Sequence, residues 1–342
     1  MRKFFLSLVV MLVASVFMGN AFAQGSLLAT LNHEGTISTF YGATAWKQAH
    51  DAAVNGDVVT LSSGNFVAVD ITKAITVRGA GMSLDTTAGI EPTIITGSFK
   101  INIADAGSYR LTLEGIYSND YIDYYNAVNP LFLKCRMKYI RDGINGYNGK
   151  YGVLKDASFI HCRIVNGLSL GQNCSASCVN SVIQGPFSSN SSTSNFEFTN
   201  CCLRGDMGNV KSSSFKNCII SDNDNNNYIS SSCTAYNCVC LTANNYFRYI
   251  TNATNKSLTN YTAFFKTYTG ADLEKLDSET FELTDEAKTK YLGTDGTEVG
   301  IYGGNLPFDP TPSNPQITKC NVASKSTADG KLSGDIEVRA AE

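Results

Sequence analysis

The chain has 342 residues, with 27 basic and 30 acidic side chains and a formal net charge of −3. Neither sign gathers into a long run, which argues against a nucleic-acid partner, since that calls for a concentrated basic face. The same balance disfavours tight capture of a strongly acidic polymer unless basic residues cluster locally.

Residues 1–23 read as a secretory signal peptide. Arg2 and Lys3 form a basic start, Phe4 to Met18 an apolar run, and Ala21-Phe22-Ala23 a small-x-small site before Gln24. The apolar run is too short for a spanning helix. The mature chain is therefore expected to be exported, to the periplasm, cell surface or medium, with no transmembrane segment. Next, residues 43–54, ATAWKQAHDAAV, place Ala45, Trp46, Ala49, Ala52 and Ala53 on one helical face, and Asn55-Gly56 stops the helix. The single Trp suits a cap over whatever follows, with His50 as a cap residue.

Short strands come next: DVVTL (57–61), AITVRGAG (74–81), TIITG (93–97) and YRLTLEGIYS (109–118). The last runs into YSNDYIDYY, which carries Tyr117, Tyr121, Tyr124 and Tyr125 in a polar setting. Tyrosine faces stack on sugar rings and their hydroxyls reach sugar hydroxyls, so these four are the candidate glycan-binding residues; packing of an irregular coil is the competing reading. YIRDG (139–143) then sets Arg141 beside Asp142, weak candidates for a clamp or base on a uronate. A surface ion pair is the preferred reading of that pair.

From Cys135 onward a unit recurs. FIHCRI, CVNSVI, FTNCCL, FKNCII and YNCVCL place His161, Asn180, Asn200, Asn217 and Asn237 at steps of 19, 20, 17 and 20 residues; LKCRM, at Cys135, is a less regular earlier copy. Each unit reads as a short strand, a bend at Asn and a second short strand. Apolar residues alternate on both sides of the bend, which implies one buried face. Asn tolerates the left-handed backbone a tight bend needs. Its amide both donates and accepts, so Asn180, Asn200, Asn217 and Asn237 are expected to bond along a ladder. The Cys after each Asn suits an inward position. The pattern is that of a parallel β-helix with inert, stacked thiols. A leucine-rich repeat has a similar period, but its L-x-x-L-x-L is missing. Cys174 and Cys178, in a looser stretch, are the disulfide candidates.

GDVVTLSSGNF (56–66), ITKAITVRGAG (71–81) and PTIITGSF (92–99) resemble the start of right-handed β-helix proteins of the pectin-lyase-like superfamily. FELTDEAKTKYLGTDGTEVGIYGGNLPF (281–308) is similar to the closing coil of exported members from Bacteroidetes-like bacteria. The resemblance spans roughly residues 40–308. It implies an all-β, right-handed parallel β-helix over 24–308, and a groove on one sheet as the usual ligand site. Beyond Pro310, DPTPSNP is a linker, and the rest of 309–342 alternates around Asp329-Gly330 as a β-hairpin tail.

The chemistry that the resemblance implies is harder to find. Pectate lyases of the group use a Ca²⁺ site of acidic residues with an Arg or Lys base; the related polygalacturonases use several Asp and a Gly-His-Gly element. The three histidines are His33, His50 and His161, none in a Gly-His-Gly. SDNDNNNY (221–228) holds Asp222 and Asp224, weak candidates for Ca²⁺, though a solvated Asn/Asp loop is the simpler reading. RGD at 204–206 is a three-residue match of little weight. The preferred reading is a non-catalytic exported β-helix, without cofactor, that binds polysaccharide or cell-surface glycan or serves as an adhesive scaffold. The alternative is a lyase or hydrolase of acidic polysaccharides, with Ca²⁺ as its cofactor if a lyase.

Overall fold

The computed structural model describes residues 27–85, 89–189, 193–205, 210–221, 229–241, 247, 250, 254–257, 263–267, 279–322, 329–331 and 334–339. Residues 1–23 and the Asp222/Asp224 loop lie outside these. The chain is a parallel β-helix of about eight turns. Its first wall stacks Val58–Leu61, Thr76–Arg78, Thr112–Glu114, Leu131–Leu133, Ala157–Ile160, Ser175–Val179, Asn195–Thr199, Ser214–Lys216 and Thr234–Tyr236 in parallel. From Leu131 onward a two-residue corner leads from each into a second wall: Arg136–Asp142, Arg163–Ile164, Val182–Gln184, Cys202–Arg204, Ile219–Ser221 and Val239–Cys240. A third face is built from Phe99–Asn102, the later part of Ile116–Val128, the end of Arg136–Asp142, Leu168–Leu170 and Phe187–Ser189.

The corner explains the repeat. Lys134, His161, Asn180, Asn200, Asn217 and Asn237 all have φ between 43° and 56°. The next residue points inward: Cys135, Cys162, Ser181, Cys201, Cys218 and Cys238 are all buried. Each is also a small donor. Cys162 Sγ donates to Phe132 O one coil away (3.2 Å) and Ile160 O (3.4 Å). Cys201 Sγ does so to Cys178 O (3.2 Å) and Thr199 O (3.3 Å). In the one rung without a thiol, Ser181 Oγ donates to Phe159 O (3.3 Å) and Val179 O (2.8 Å). Phenylalanines stack beside this column, Phe132 on Phe159 (4.7 Å) and Phe198 on Phe215 (5.1 Å).

Ten cysteines, Cys174 and Cys178 among them, are free and buried, which corrects the expectation that these two are disulfide-bonded. Cys174 lies just before the strand Ser175–Val179 that carries Cys178, and extended chain rising about 3.3 Å per residue sets the two too far apart to bridge to each other. Burial pushes Cys162, Cys178, Cys218 and Cys238 well above the ordinary thiol value.

At the N-terminal end, an antiparallel hairpin of β1 (Leu28–His33) and β2 (Thr36–Tyr41) precedes helix α1 (Ala45–Ala52). The hairpin was not anticipated. Trp46, Ala45, Ala49, Ala53 and His50 are buried at the first coil. Ala52 is exposed, because helical rotation carries it away from the stripe that Trp46 and Ala49 define. His50 packs edge-on against Trp46 (5.5 Å) and accepts from Thr72 N (3.3 Å), as a cap residue should.

The segment from Phe281 to Asn314 is not a closing coil. After helix α2 (Asp285–Lys290), capped by Thr284 Oγ1 on Ala287 N (3.2 Å), it runs as a strap down the corner column from the last coils to the first. Asn237 Nδ2 donates to Leu292 O (3.0 Å), and Asn217 Oδ1 accepts from Thr294 N (2.8 Å). Asn180 Nδ2 donates to Ile301 O (2.8 Å) and Gly303 O (2.7 Å), and His161 Nε2 to Leu306 O (3.0 Å). Lys134 Nζ reaches Asp309 (2.8 Å) and Thr311 O (2.6 Å), and Ser313 N donates to Glu114 (2.9 Å). The corner amides were expected to bond to one another; among the described residues none does. A left-handed corner turns its side chain outward, where the strap's peptide groups are the nearest partners. At Gly304 (φ 77°) an added Cβ would collide with the Asn200 amide.

The strap also corrects the expectation of a single buried face. Val182, Cys202, Ile219, Val239 and Leu241 point out of the second wall. They are buried against Phe264, Phe265, Phe281, Leu283, Val299, Ile301 and Phe308, a second hydrophobic core outside the helix. The C-terminal hairpin, Gln316–Val322 with Gly334–Arg339, follows the strap. Arg339 contacts Asp85, near the first coils.

Two predictions follow from this packing. Native protein should leave Cys162, Cys201 and Cys218 unalkylated and denatured protein should label them fully; rapid native labelling, read by mass spectrometry, would put the column on the surface. The second concerns acid. Burial, the largest cause, lowers His161 from its ordinary 6.5, against the opposing pull of Leu306 O and Asp309. As pH falls through 6.5 the unfolded chain takes up the proton first, so stability present above that value is lost below it. His161→Asn, which restores the commonest corner residue, should fold and should flatten the stability–pH slope between about pH 7 and 5 in urea titrations. An unchanged slope would remove His161 as a source of acid sensitivity.

Candidate functional site

Strand alternation decides which of the singled-out residues reach solvent. Along Ile116–Val128, Ile122 and Tyr124 point inward while Tyr121, Asp123 and Tyr125 lie at the surface. One rung on, Tyr139 sits beside Tyr121, Arg141 beside Asp123 and Asp142 beside Tyr124. Lys100 lies beside Asp123 on the other side.

The outward set forms one face of aromatics and charges. Arg141 Nε donates to Asp123 Oδ1 (2.7 Å), and its guanidinium lies 4.0 Å from the centre of the Tyr121 ring. The Asp123 hydrogen bond is the largest cause raising Arg141 above its already high ordinary value. Tyr121 meets Tyr139 edge-on at 5.8 Å, and Lys138 Nζ lies 5.7 Å from the Tyr121 ring and 4.0 Å from Asp120. Arg136 covers Tyr117 at 4.4 Å, and Lys100 lies 5.6 Å from Tyr125. Burial raises the Tyr139 hydroxyl above its ordinary value. Beside this set opens a polar cleft of about 440 Å³, lined by Asp123, Tyr139, Arg141, Asp142, Gly143, Asn145 and Ser169. Ser188 Oγ donates to Ser169 Oγ (2.8 Å) and extends the hydroxyl row by one rung.

Two sequence candidates turn inward. Tyr124 is fully buried; its hydroxyl donates to Ser169 O (3.0 Å) and accepts from Gly171 N (2.7 Å). Burial raises it far above the ordinary phenol. It is a core residue, not a sugar platform. Asp142 is 4% exposed, and its Oδ1 accepts from Ile144 N (2.8 Å), Asn145 N (3.1 Å) and Gly152 N (2.8 Å), tying down the following turn. Neighbours on a strand face opposite ways, so Arg141 and Asp142 do not form the expected pair. The surface ion pair is real, but its acid is Asp123.

Sequence reasoning missed Asp123, Tyr139 and Lys100. The signal was an 18-residue step, from Tyr121 to Tyr139 and from Asp123 to Arg141, one coil earlier than the clear repeat. Arg204 of the RGD match is buried in the second wall, and Asp206 lies outside the described residues. Among the described residues, no three His, Cys, Asp or Glu side chains gather so as to hold a metal ion. Nor is any described helix long and apolar enough to cross a membrane. No family model matches the chain, and no curated protein or solved structure matches it either.

The two tyrosine classes should separate in unfolding experiments. Tyr124→Phe strands two buried backbone partners and should cost about 1–3 kcal/mol. Tyr121→Ala should cost under about 1 kcal/mol. Equal costs would contradict the assigned directions.

Proposed function

We propose that the protein is an exported, non-catalytic β-helix that binds acidic glycan on its third face, as a surface or adhesive module. The observation that carries this reading is the side-by-side placement of Tyr121, Tyr139 and Arg141 at the rim of an open polar cleft. Tyrosine rings offer faces and edges to sugar C–H groups, and Arg141 offers a fork of donors to a uronate carboxylate. Lys100 and Lys138 flank Arg141 and give the local cationic cluster that the whole-chain charge lacks. Export is supported by the leader-like residues 1–23. Membership of the pectin-lyase-like superfamily is supported by the β-helix architecture and by the quoted words of the first coils, an argument from fold that leaves the ligand to the site.

The test is retention on arrays of polyuronates and neutral glycans. Replacing Tyr121 and Tyr139 together by Ala should weaken binding to both about tenfold or more. Arg141→Ala should weaken polyuronate binding selectively and reduce its salt dependence. Unchanged retention in both variants would exclude this face. Ultraviolet-absorbing unsaturated product from purified protein with polyuronate and Ca²⁺, lost in Arg141→Ala, would overturn the non-catalytic reading in favour of a lyase.

A further inference from the structure

Strand β2 is the outermost strand of the first wall, and among the described residues it pairs with β1 alone. Its register fixes what it leaves open. Gly42 N bonds Leu27 O, and Leu28 O takes Ser62 N on the opposite side of β1. The residues of β1 that face β2 are therefore the odd ones, and their partners on β2 are Thr36, Ser38 and Phe40. The peptide groups of Ile37, Thr39 and Tyr41 point away, to the free edge. Ile37 and Tyr41 are also 68% and 66% exposed. The strand, TISTFY, contains no charge, no Pro and no bulge, the devices that ordinarily blunt an edge.

We propose that this edge pairs with the same edge of a second copy, antiparallel, about a two-fold axis through Thr39. The strand is self-complementary in that register. Ile37 faces the partner's Tyr41, Thr39 faces the partner's Thr39, and Tyr41 faces the partner's Ile37. All three are positions whose peptide groups point outward, so about six backbone hydrogen bonds form across the axis. The side-chain pairs are of the favoured kinds, aromatic with β-branched and Thr with Thr. An isologous patch of this sort closes as a dimer and does not propagate. The pairing joins two solenoids end to end through a continuous first wall, and doubles the exposed third face per assembly.

The experiment uses the mature full-length chain and sedimentation across a concentration series. The wild type should dimerise. Thr39→Lys and Thr39→Glu each place like charges opposite one another on the axis and should each weaken the dimer at least about tenfold, with thermal midpoints unchanged. An equimolar mixture of the two variants, which sets opposite charges across the axis, should dimerise again. Thr39→Cys supplies an independent reading should either charged variant misfold. Its thiol would meet its own copy across the axis at the spacing of a hydrogen-bonded pair, about 5.5 Å between Cβ atoms, and a short bifunctional maleimide would join the two into a covalent dimer while the buried cysteines stay silent. A monomeric wild type without that crosslink overturns the proposal, and so does a dimer that both charged variants leave intact.

Discussion

The left-handed corner between the first and second walls is the constraint on which the rest depends. An L-residue with φ near +50° is costly except for Gly, Asn and a few others, and this chain places such a residue at the corner of successive coils. Once the corner is fixed, the direction of every neighbour follows. The corner residue itself points out and its successor points in. On the inside, the successor sits beside carbonyls of its own and the preceding coil, which a small donor can satisfy without filling the space that Phe132, Phe159, Phe198 and Phe215 need. Cys meets that demand with apolar bulk and a weak donor, and Ser181 keeps the donor where the sulfur is absent.

On the outside, the same corner creates a column of amides and charges that no coil can pair. The strap from Phe281 to Asn314 pairs with it and at the same time covers the outward apolar residues of the second wall. The strap touches corners from Asn237 to Glu114, so it ties distant coils together in a structure whose other contacts run between neighbours. Arg163 shows how closely the two functions are interleaved. It donates to Glu279 O (2.7 Å) and lies against the rings of Phe281 and Phe308.

The repeat, its phase and the capping helix were legible because each rests on local chemistry: a period near nineteen residues, an Asn-Cys pair, a Trp on an alanine stripe. The strap was not, because its partners lie far away in sequence, 121 residues from Asn180 to Ile301. One clue was present and read too narrowly. Cys201-Cys202-Leu203 and Cys218-Ile219-Ile220 are apolar runs, not strict alternations, and runs of that kind mark strands covered on both faces. Of the candidate site, Tyr121 and Arg141 were found as residue types in a polar setting. Tyr124 and Asp142 were misassigned because composition alone does not carry the in/out phase. That phase becomes readable only from the register against the next rung.

The register also decides what the third face can recognise. Arg141 already has an acid partner in Asp123, so a ligand carboxylate competes with it instead of meeting a bare cation. Magnitude settles whether that competition is prohibitive. Arg141 and Asp123 are partly exposed, at 44% and 19% of their side-chain surface, and pairs of this kind are generally worth about 0–1 kcal/mol. Exchanging Asp123 for a uronate at one donor of the guanidinium is therefore nearly neutral, and the remaining donors of the fork add to the ligand's side. Under the proposed glycan reading, charge on this face would select among sugars more than bind them, and Tyr121 and Tyr139 would carry the affinity through contact area. The order matters for the architecture as well. The pairing of Tyr121 with Tyr139 on adjacent rungs fixes their spacing from the backbone itself, and because the rings meet edge-on a ligand would find one ring's face beside the other's edge.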